Sequence, residues 1–361
     1  MKVVIIGAGV AGLGLGWRLA QAGAEVTVLE RAQAGHGASW AAAGMIAPVG
    51  EGITGVEGDF GRYSRALWPA FAAELEQISG IDLDYRENGA LLVALDEPSA
   101  ATLRQRTQNE PELTLLSGAE AQTLTPMLAA PICAAWAPEE AQVDSRALGR
   151  ALEIAFLRAG GTLRRFEPAI AIEVTDNKVC TIRTPFGRYA GDSYVLAAGA
   201  WTAELQGLPT NVLPPVLPVK GEMLALQCPK GARLPTQVIW GHGVYLVPRR
   251  DRLLIGATVS ESGFDTSVSQ EAAHHLRSRA LGLVPALANW EIAEQWAGLR
   301  PSSPDGLPIL GPTHIANLFA ATGQYRNGIL FAPALAALMA QTILENRLMP
   351  DFAAFDPRRF A

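Results

Sequence analysis

The sequence predicts an α/β chain with α+β character, in which an α/β domain is built from the start, middle and end and a mixed or antiparallel sheet is inserted twice. Three observations predict it. VVIIG (Val3 to Gly7), a glycine turn, a helix reaching Ala22 and EVTVLE (Glu25 to Glu30) form a βαβ-type opening. Alternating runs between Pro218 and Ser260 form antiparallel strands. NLFAATG, a loop with two glycines and an apolar helix form a late strand-loop-helix unit. The expected partition is 1–80, 140–210 and 295–361 for the first domain and 81–139 and 211–294 for the second.

In chain order, the continuous apolar run of VVIIG suits a strand buried on both faces, and Gly23 stops the first helix. GHGASWAAAGMIAP (Gly35 to Pro48) is too small-sided for an ordinary core element and suits backbone that approaches another group closely. A helix is expected near Ser64 to Ser79 and a strand at ENGALLVAL (Glu87 to Leu95), followed by a turn-rich region near Pro131 to Pro138. VDSRALGRALEIAFLRAGG carries Asp144 or Ser145 as a helix cap and ends at Gly160 and Gly161. Strands recur at TLRRF, VCTIRT and SYVLAAGAW, the last ending near Gly199. Pro209 to Pro218 is expected to cross between domains. VKGEMLAL, GVYLVPR and LLIGATV follow as strands with RRDR as a hairpin turn, then a helix at Ser269 to Leu283. WAGLRPSSPDGLPILGP is expected as a Pro/Gly loop before NLFAATG and the final helix.

At 361 residues, 49% apolar and 18% charged, the chain is globular and long enough for two domains. A net charge of -6 supplies no basic stripe for nucleic acid, so a small or neutral partner is favoured. Cys133, Cys180 and Cys228 are odd in number and lack C-x-x-C spacing, which favours buried free thiols in a reducing, cytoplasmic compartment. Lys2, the apolar run to Trp17 and Ala20-Gln21-Ala22 superficially copy an export signal, but five glycines between Gly7 and Gly16 make a poor signal helix. Ile329 to Leu344 contains Pro333 and Gln341 and is too short for a membrane span. His274 and His275 sit on a charged helix, and no histidine and carboxylate cluster has metal spacing.

GAGVAG (Gly7 to Gly12) fits G-x-G-x-x-G, with Gly7, Gly9 and Gly12 between a strand and a helix, so that backbone N–H groups meet a pyrophosphate at a positive helix end. Glu30 closes the second strand at the distance expected for a carboxylate that holds ribose hydroxyls, and it would repel the 2'-phosphate of NADP. This fingerprint leaves NAD and FAD open. The small-residue segment after Glu30 and the late glycine-bearing strand-loop-helix favour a flavin, which distant parts of a chain surround.

ERAQAGHGASWAAAGMIAP, LPVKGE, YLVPRR...LLIGAT, WAGLRPSSPDGLPILG and ATGQYRNGILFAP together resemble the D-amino acid oxidase family of flavoproteins, nearest its glycine-oxidising branch in thiamine thiazole biosynthesis. The likeness runs from end to end. It implies a Rossmann-like FAD-binding domain with an interleaved substrate domain, non-covalent FAD, a glycine substrate, oxygen as acceptor and a homotetramer. It further implies Val10 and Ala11 at the pyrophosphate, Glu30 and Arg31 at the adenosine ribose, and Ala38, Ser39, Ala43, Gly44 and Met45 at the phosphates and flavin ring. Val174 would touch the adenine side, and Gly199 is counted with the cofactor contacts.

Arg300 matches the family arginine that binds substrate carboxylate; a guanidinium fork pairs with a carboxylate in bidentate fashion and keeps its charge. Pro301 and Pro304 would stiffen its loop, and Tyr245 matches a tyrosine that hydrogen-bonds the same carboxylate. Gln324, Tyr325, Arg326, Asn327, Gly328, Ile329 and Leu330 would form a lid on the flavin. Within that lid Arg326 is a second cation, and the N–H groups of Asn327 to Leu330, at a helix start, stabilise anionic reduced flavin. Gln324 stands where relatives often carry histidine. Met45, Trp240 and Tyr245 are the residues expected to block space beyond the substrate Cα.

The reaction so implied is hydride transfer from glycine to flavin N5, giving an imine that hydrolyses to oxo acid and ammonia, with peroxide formed on reoxidation. Sarcosine and D-alanine are further candidate substrates. Alternatives are a D-amino acid or N-methyl amino acid oxidase, a dehydrogenase passing electrons to a quinone, and a non-catalytic FAD protein.

Overall fold

Lys2–Ile6 lies inside a six-stranded sheet, flanked in parallel by Glu25–Leu29 and Ser193–Leu196, with Ile5 level with both Val28 and Val195. Thr162–Arg164 extends one side in parallel; Leu318–Thr322 extends the other, and Ile309–Pro312 closes that edge antiparallel. The computed structural model describes residues 1–209, 212 and 216–360. The 210/211 boundary and half of the expected crossing at Pro209 to Pro218 lie outside the described residues.

Apolar strands buried on both faces need helices on the sheet. Val10–Gln21, Gly55–Ser79, Ser145–Arg158 and Ala332–Glu345 supply an extensive core with Leu13, Trp17, Trp68, Phe156 and Phe331 fully or almost fully buried. Asp144 caps Ser145–Arg158 by accepting from the N–H groups of Arg146 and Ala147 at 2.9 and 3.1 Å.

The second sheet has eight strands, in the order Ile292–Ser302, Leu217–Gln227, Arg252–Gly256, Val244–Arg249, Val238–Gly241, Ala90–Ala94, Cys133–Ala137 and Thr114–Ser117. All its pairs are antiparallel except Val238–Gly241 with Ala90–Ala94. This agrees with the expectation of a mixed or antiparallel sheet.

Several expectations need correction. The helix expected from Ser64 begins at Gly55; its glycines weaken the local signal, yet a Cβ on Gly61 would lie 2.9 Å from Ile53. The turn-rich region holds the strand Cys133–Ala137, whose CAAWA lacks the alternation of a half-buried strand because both of its faces are packed in apolar clusters. The expected Pro/Gly loop begins instead as the strand Ile292–Ser302, so Arg300 is on a strand; Pro301 is tolerated because this strand is at the sheet edge. The last helix starts at Ala332, with Pro333 in its first turn. Cys133 is buried but Cys180 is exposed, contrary to the expectation of buried thiols.

Candidate active site

The opening motif folds into a cradle that excludes side chains. Gly7 has φ +107°, where a Cβ would lie 2.3 Å from the carbonyl oxygen of Ala197; one on Gly12 would lie 1.9 Å from the Gly7 oxygen. Gly9 is the N-cap of Val10–Gln21 with no side-chain cap, so this end of the helix keeps its positive character for an anion. Ser39 Oγ accepts from Val10 N–H at 3.0 Å. Glu30 accepts from Ala8 N–H at 2.7 Å and Ala32 N–H at 2.9 Å, one on each carboxylate oxygen. Each oxygen retains a lone pair for a hydroxyl. The Arg31 guanidinium stacks 3.4 Å from the centroid of the Trp201 ring, and burial draws it below its ordinary pKa against the opposing effect of Glu30.

The small-residue segment gains its shape from side chains behind it. The carbonyls of Ala41, Ala42 and Ala43 accept from Trp296 Nε1 at 2.9 Å, Ser145 Oγ at 2.7 Å and Arg249 Nη2 at 2.9 Å. Three successive peptides are thereby fixed beside a cavity of about 390 Å³ that runs between the two sheets. Gly7, Gly9, Val10, Ala11, Glu30, Arg31, Ala38, Ser39, Ala43, Gly44, Met45 and Gly199 line it, as do Tyr245, Arg300 and every residue from Gln324 to Leu330. Gly12 and Val174 do not. Gly12 supports the cradle from behind, while Val174 packs in the strand Ala171–Thr175 and leaves the rim to Pro168 and Ala169. Trp240 is also off the cavity, packed against Gly50 and edge-on to Tyr245 with centroids 6.4 Å apart.

Arg300 reaches the cavity across Gly221 of the adjoining strand, where a Cβ would lie 2.3 Å from its guanidinium. Its Nη1 donates to the carbonyls of Lys220 at 3.3 Å and Thr258 at 3.2 Å; Nε and Nη2 meet no carbonyl or carboxylate among the described residues, and the Tyr245 hydroxyl is near enough to interact with the guanidinium. The buried Tyr245 hydroxyl lies 3.7 Å from Met223 Sδ, and burial pushes its pKa up despite the nearby Arg300.

The lid loop differs from expectation at its helix. Phe331 N–H donates to Asn327 O at 2.9 Å, forming a single turn ahead of the helix that starts at Ala332. Asn327 N–H is taken by Gln324 O at 2.8 Å, whereas those of Gly328, Ile329 and Leu330 donate to nothing among the described residues. Ser64 Oγ and Trp68 Nε1 donate to Leu330 O at 2.7 and 3.0 Å and anchor the turn. Gln324 is buried with its Nε2 unpaired.

Arg326, expected as a second cation for substrate or flavin, is paired with Glu51 at 2.8 Å. The sequence reading missed Glu51, which lies in the unremarkable turn EGITG and gains meaning only from this tertiary contact. Burial pushes the Glu51 carboxyl up, opposed by Arg326 and then Arg300. Asn327 Nδ2 donates to Glu57 at 2.9 Å, and burial also raises that carboxyl. Met223 and Gly221 are further lining residues that the sequence did not single out.

The side-chain-free cradle, the Glu30 carboxylate, the unpaired Gln324 donor and the free N–H groups of Gly328 to Leu330 suit a dinucleotide with an electron-rich ring. Arg300 lines the same cavity, and the class the fold and site define is a flavin-dependent oxidoreductase. The chain belongs to the FAD dependent oxidoreductase (DAO) family, matched over residues 2–342, and is FAD-dependent.

Its relatives include the glycine oxidase of Geobacillus kaustophilus, 36% identical over 99% of this chain and 96% of that protein. The crystal structure of that enzyme superposes with a TM-score of 0.93 at 34% identity, covering 100% of this chain and 99% of the other. The bifunctional protein ThiO/ThiG of Trichormus variabilis is 38% identical over 99% of this chain but 55% of its own length, so the chain spans about half of that relative. Among the described residues no helix is long and apolar enough to cross a membrane.

Proposed function

We propose that this protein oxidatively deaminates glycine, and other small amines such as sarcosine or D-alanine, to the imine, which water hydrolyses to the oxo acid and ammonia, or methylamine from sarcosine, with oxygen reduced to hydrogen peroxide. One observation carries the reading: Arg300, beside the Tyr245 hydroxyl, lines the same cavity as the dinucleotide cradle. Arg300 binds the carboxylate through Nε and Nη2, and Tyr245 orients it. Met45, Met223 and the Tyr245 ring bound the space around the substrate and keep it small. FAD, when bound, supplies the two-electron oxidation. Gln324 Nε2 and the N–H groups of Gly328 to Leu330 stabilise negative charge at their end of the cavity. No side-chain base is needed when the amine enters neutral.

The names of the glycine oxidase relatives support the substrate, and the ThiO/ThiG relatives support a role in thiazole synthesis for thiamine. Non-covalent FAD is part of this reading, held by the glycine cradle and the Glu30 carboxylate. The partition into a cofactor domain and an interleaved substrate domain follows the separate strand sets of the two large sheets, except that the 294/295 boundary moves beyond the strand Ile292–Ser302, which belongs to the eight-stranded sheet. The three unpaired thiols suit a cytoplasmic setting. A homotetramer completes the proposal, and sedimentation of the purified protein tests it.

The deciding experiment is anaerobic mixing of the FAD-loaded protein with glycine, sarcosine, D-alanine and D-proline while flavin absorbance is followed. Bleaching by glycine is expected. Bleaching by bulky D-amino acids alone replaces the proposal with a D-amino acid oxidase.

A further inference from the structure

Glu51 sits on a turn that is held from several sides. Its own N–H donates to Ala47 O at 2.9 Å, while Val49 and Gly50 N–H donate to the buried Glu140 carboxylate at 3.2 and 3.1 Å. Arg106 Nη2 donates to Val49 O at 2.6 Å, and the Trp240 ring covers Gly50 so closely that a Cβ would lie 2.7 Å away. The carboxylate so placed is 11% exposed and meets an Arg326 side chain that is 41% exposed. Arg300 is near enough to act on it electrostatically, and Tyr245 feels both arginines and Glu51. At this end the cavity is therefore lined by two guanidinium groups and one carboxylate. Glu30 and Glu204, the other lining acids, belong to the cradle and to the Trp201 segment.

We propose that Glu51 is a charge filter: by neutralising Arg326 it leaves Arg300 as the guanidinium that accepts an anion, so the cavity takes monocarboxylates and rejects diacids. The inference rests on the reading that Arg300 binds a carboxylate. Two cations in one chamber would otherwise attract a dianion that spans them. With Glu51 in place, a second carboxylate directed at Arg326 must displace a partly buried ion pair and face an uncompensated like charge. Selectivity then comes from the repulsive element as much as from Arg300 itself.

Acetate and malonate, which offer one and two carboxylates and no oxidisable amine, test this on the FAD-loaded protein through the perturbation of flavin absorbance on binding. Glu51→Gln should tighten malonate relative to acetate by on the order of tenfold, and Glu51→Gln with Arg326→Gln should abolish that gain. The gain should shrink with added salt. An unchanged malonate-to-acetate ratio in Glu51→Gln, or a gain that survives loss of Arg326, overturns the proposal. Arg326→Gln alone supplies a second route if Glu51→Gln does not retain flavin: stripping Glu51 of its partner should weaken malonate more than acetate, and equal weakening counts against the filter. Neither ligand tests the choice of amine, so a protein that ignores glycine yet shows the malonate shift refutes the glycine assignment and leaves the filter standing.

Discussion

Arg300 depends on its neighbours as much as on its own charge. Gly221 leaves the corridor through which the guanidinium passes, the carbonyls of Lys220 and Thr258 hold Nη1, and the side chain lines the cavity. A lysine lacks the planar fork that exploits this arrangement. Arg300→Ala should raise KM for the amino acid by on the order of tenfold to a hundredfold, the effect of losing hydrogen bonds to a charged group. Flavin content should be unchanged, since the cradle lies elsewhere; substrate titrations and the flavin spectrum check both. A colourless protein with an ordinary KM would make Arg300 a flavin-holding residue. The place of Arg300 on the cavity was legible in the sequence because its surroundings carry the family likeness. Gly221 and Glu51 were not, because one acts by omitting a side chain and the other through a partner distant in the chain.

At the scale of elements, the strand-turn-helix at the start of the chain was the most legible unit, because strand burial, glycine spacing and Glu30 agree. Its weak point is Gly12, whose Cβ would collide with a backbone oxygen instead of a movable side chain. Gly12→Ala should cost about 1–3 kcal/mol through overpacking and lower FAD affinity with it, because Gly7 cannot retreat from Ala197. Thermal unfolding and flavin retention on dilution measure the two effects. Wild-type retention with an unchanged Tm would show that the turn yields more readily than this packing implies. The strand bearing Arg300 was harder to see. Pro301, Pro304 and the glycines around it are loop residues by local preference, and only an edge position in the eight-stranded sheet accommodates Pro301 in a ladder. The lid helix was misplaced for a related reason: the apolar run from Ile329 is continuous, but the peptides before Ala332 close a separate turn.

Across the whole molecule, the turn that carries Glu51 joins the helix Gly55–Ser79 to the eight-stranded sheet through one buried acid. Glu140 is 1% exposed and follows the strand Cys133–Ala137; it accepts from Val49 and Gly50 N–H and from Arg65 of that helix at 3.1 Å. Burial pushes this carboxyl up to about 7 from an ordinary 4.5, against the pull of Gly50 and Arg65. Between those values the folded protein holds a proton that the unfolded chain releases, so stability falls as pH rises. The contribution is complete below about 4.5 and is lost as pH passes through about 7; its size is at most about 3 kcal/mol. Glu140→Gln removes the titration and retains an acceptor oxygen for the turn. With FAD saturating in both proteins, the Tm of wild type relative to Glu140→Gln should decline from pH 5 toward pH 8, since other titrating groups are common to both. Parallel curves would mean that Glu140 titrates alike in the folded and unfolded chains, and that Arg65 and the two N–H donors offset its burial in full.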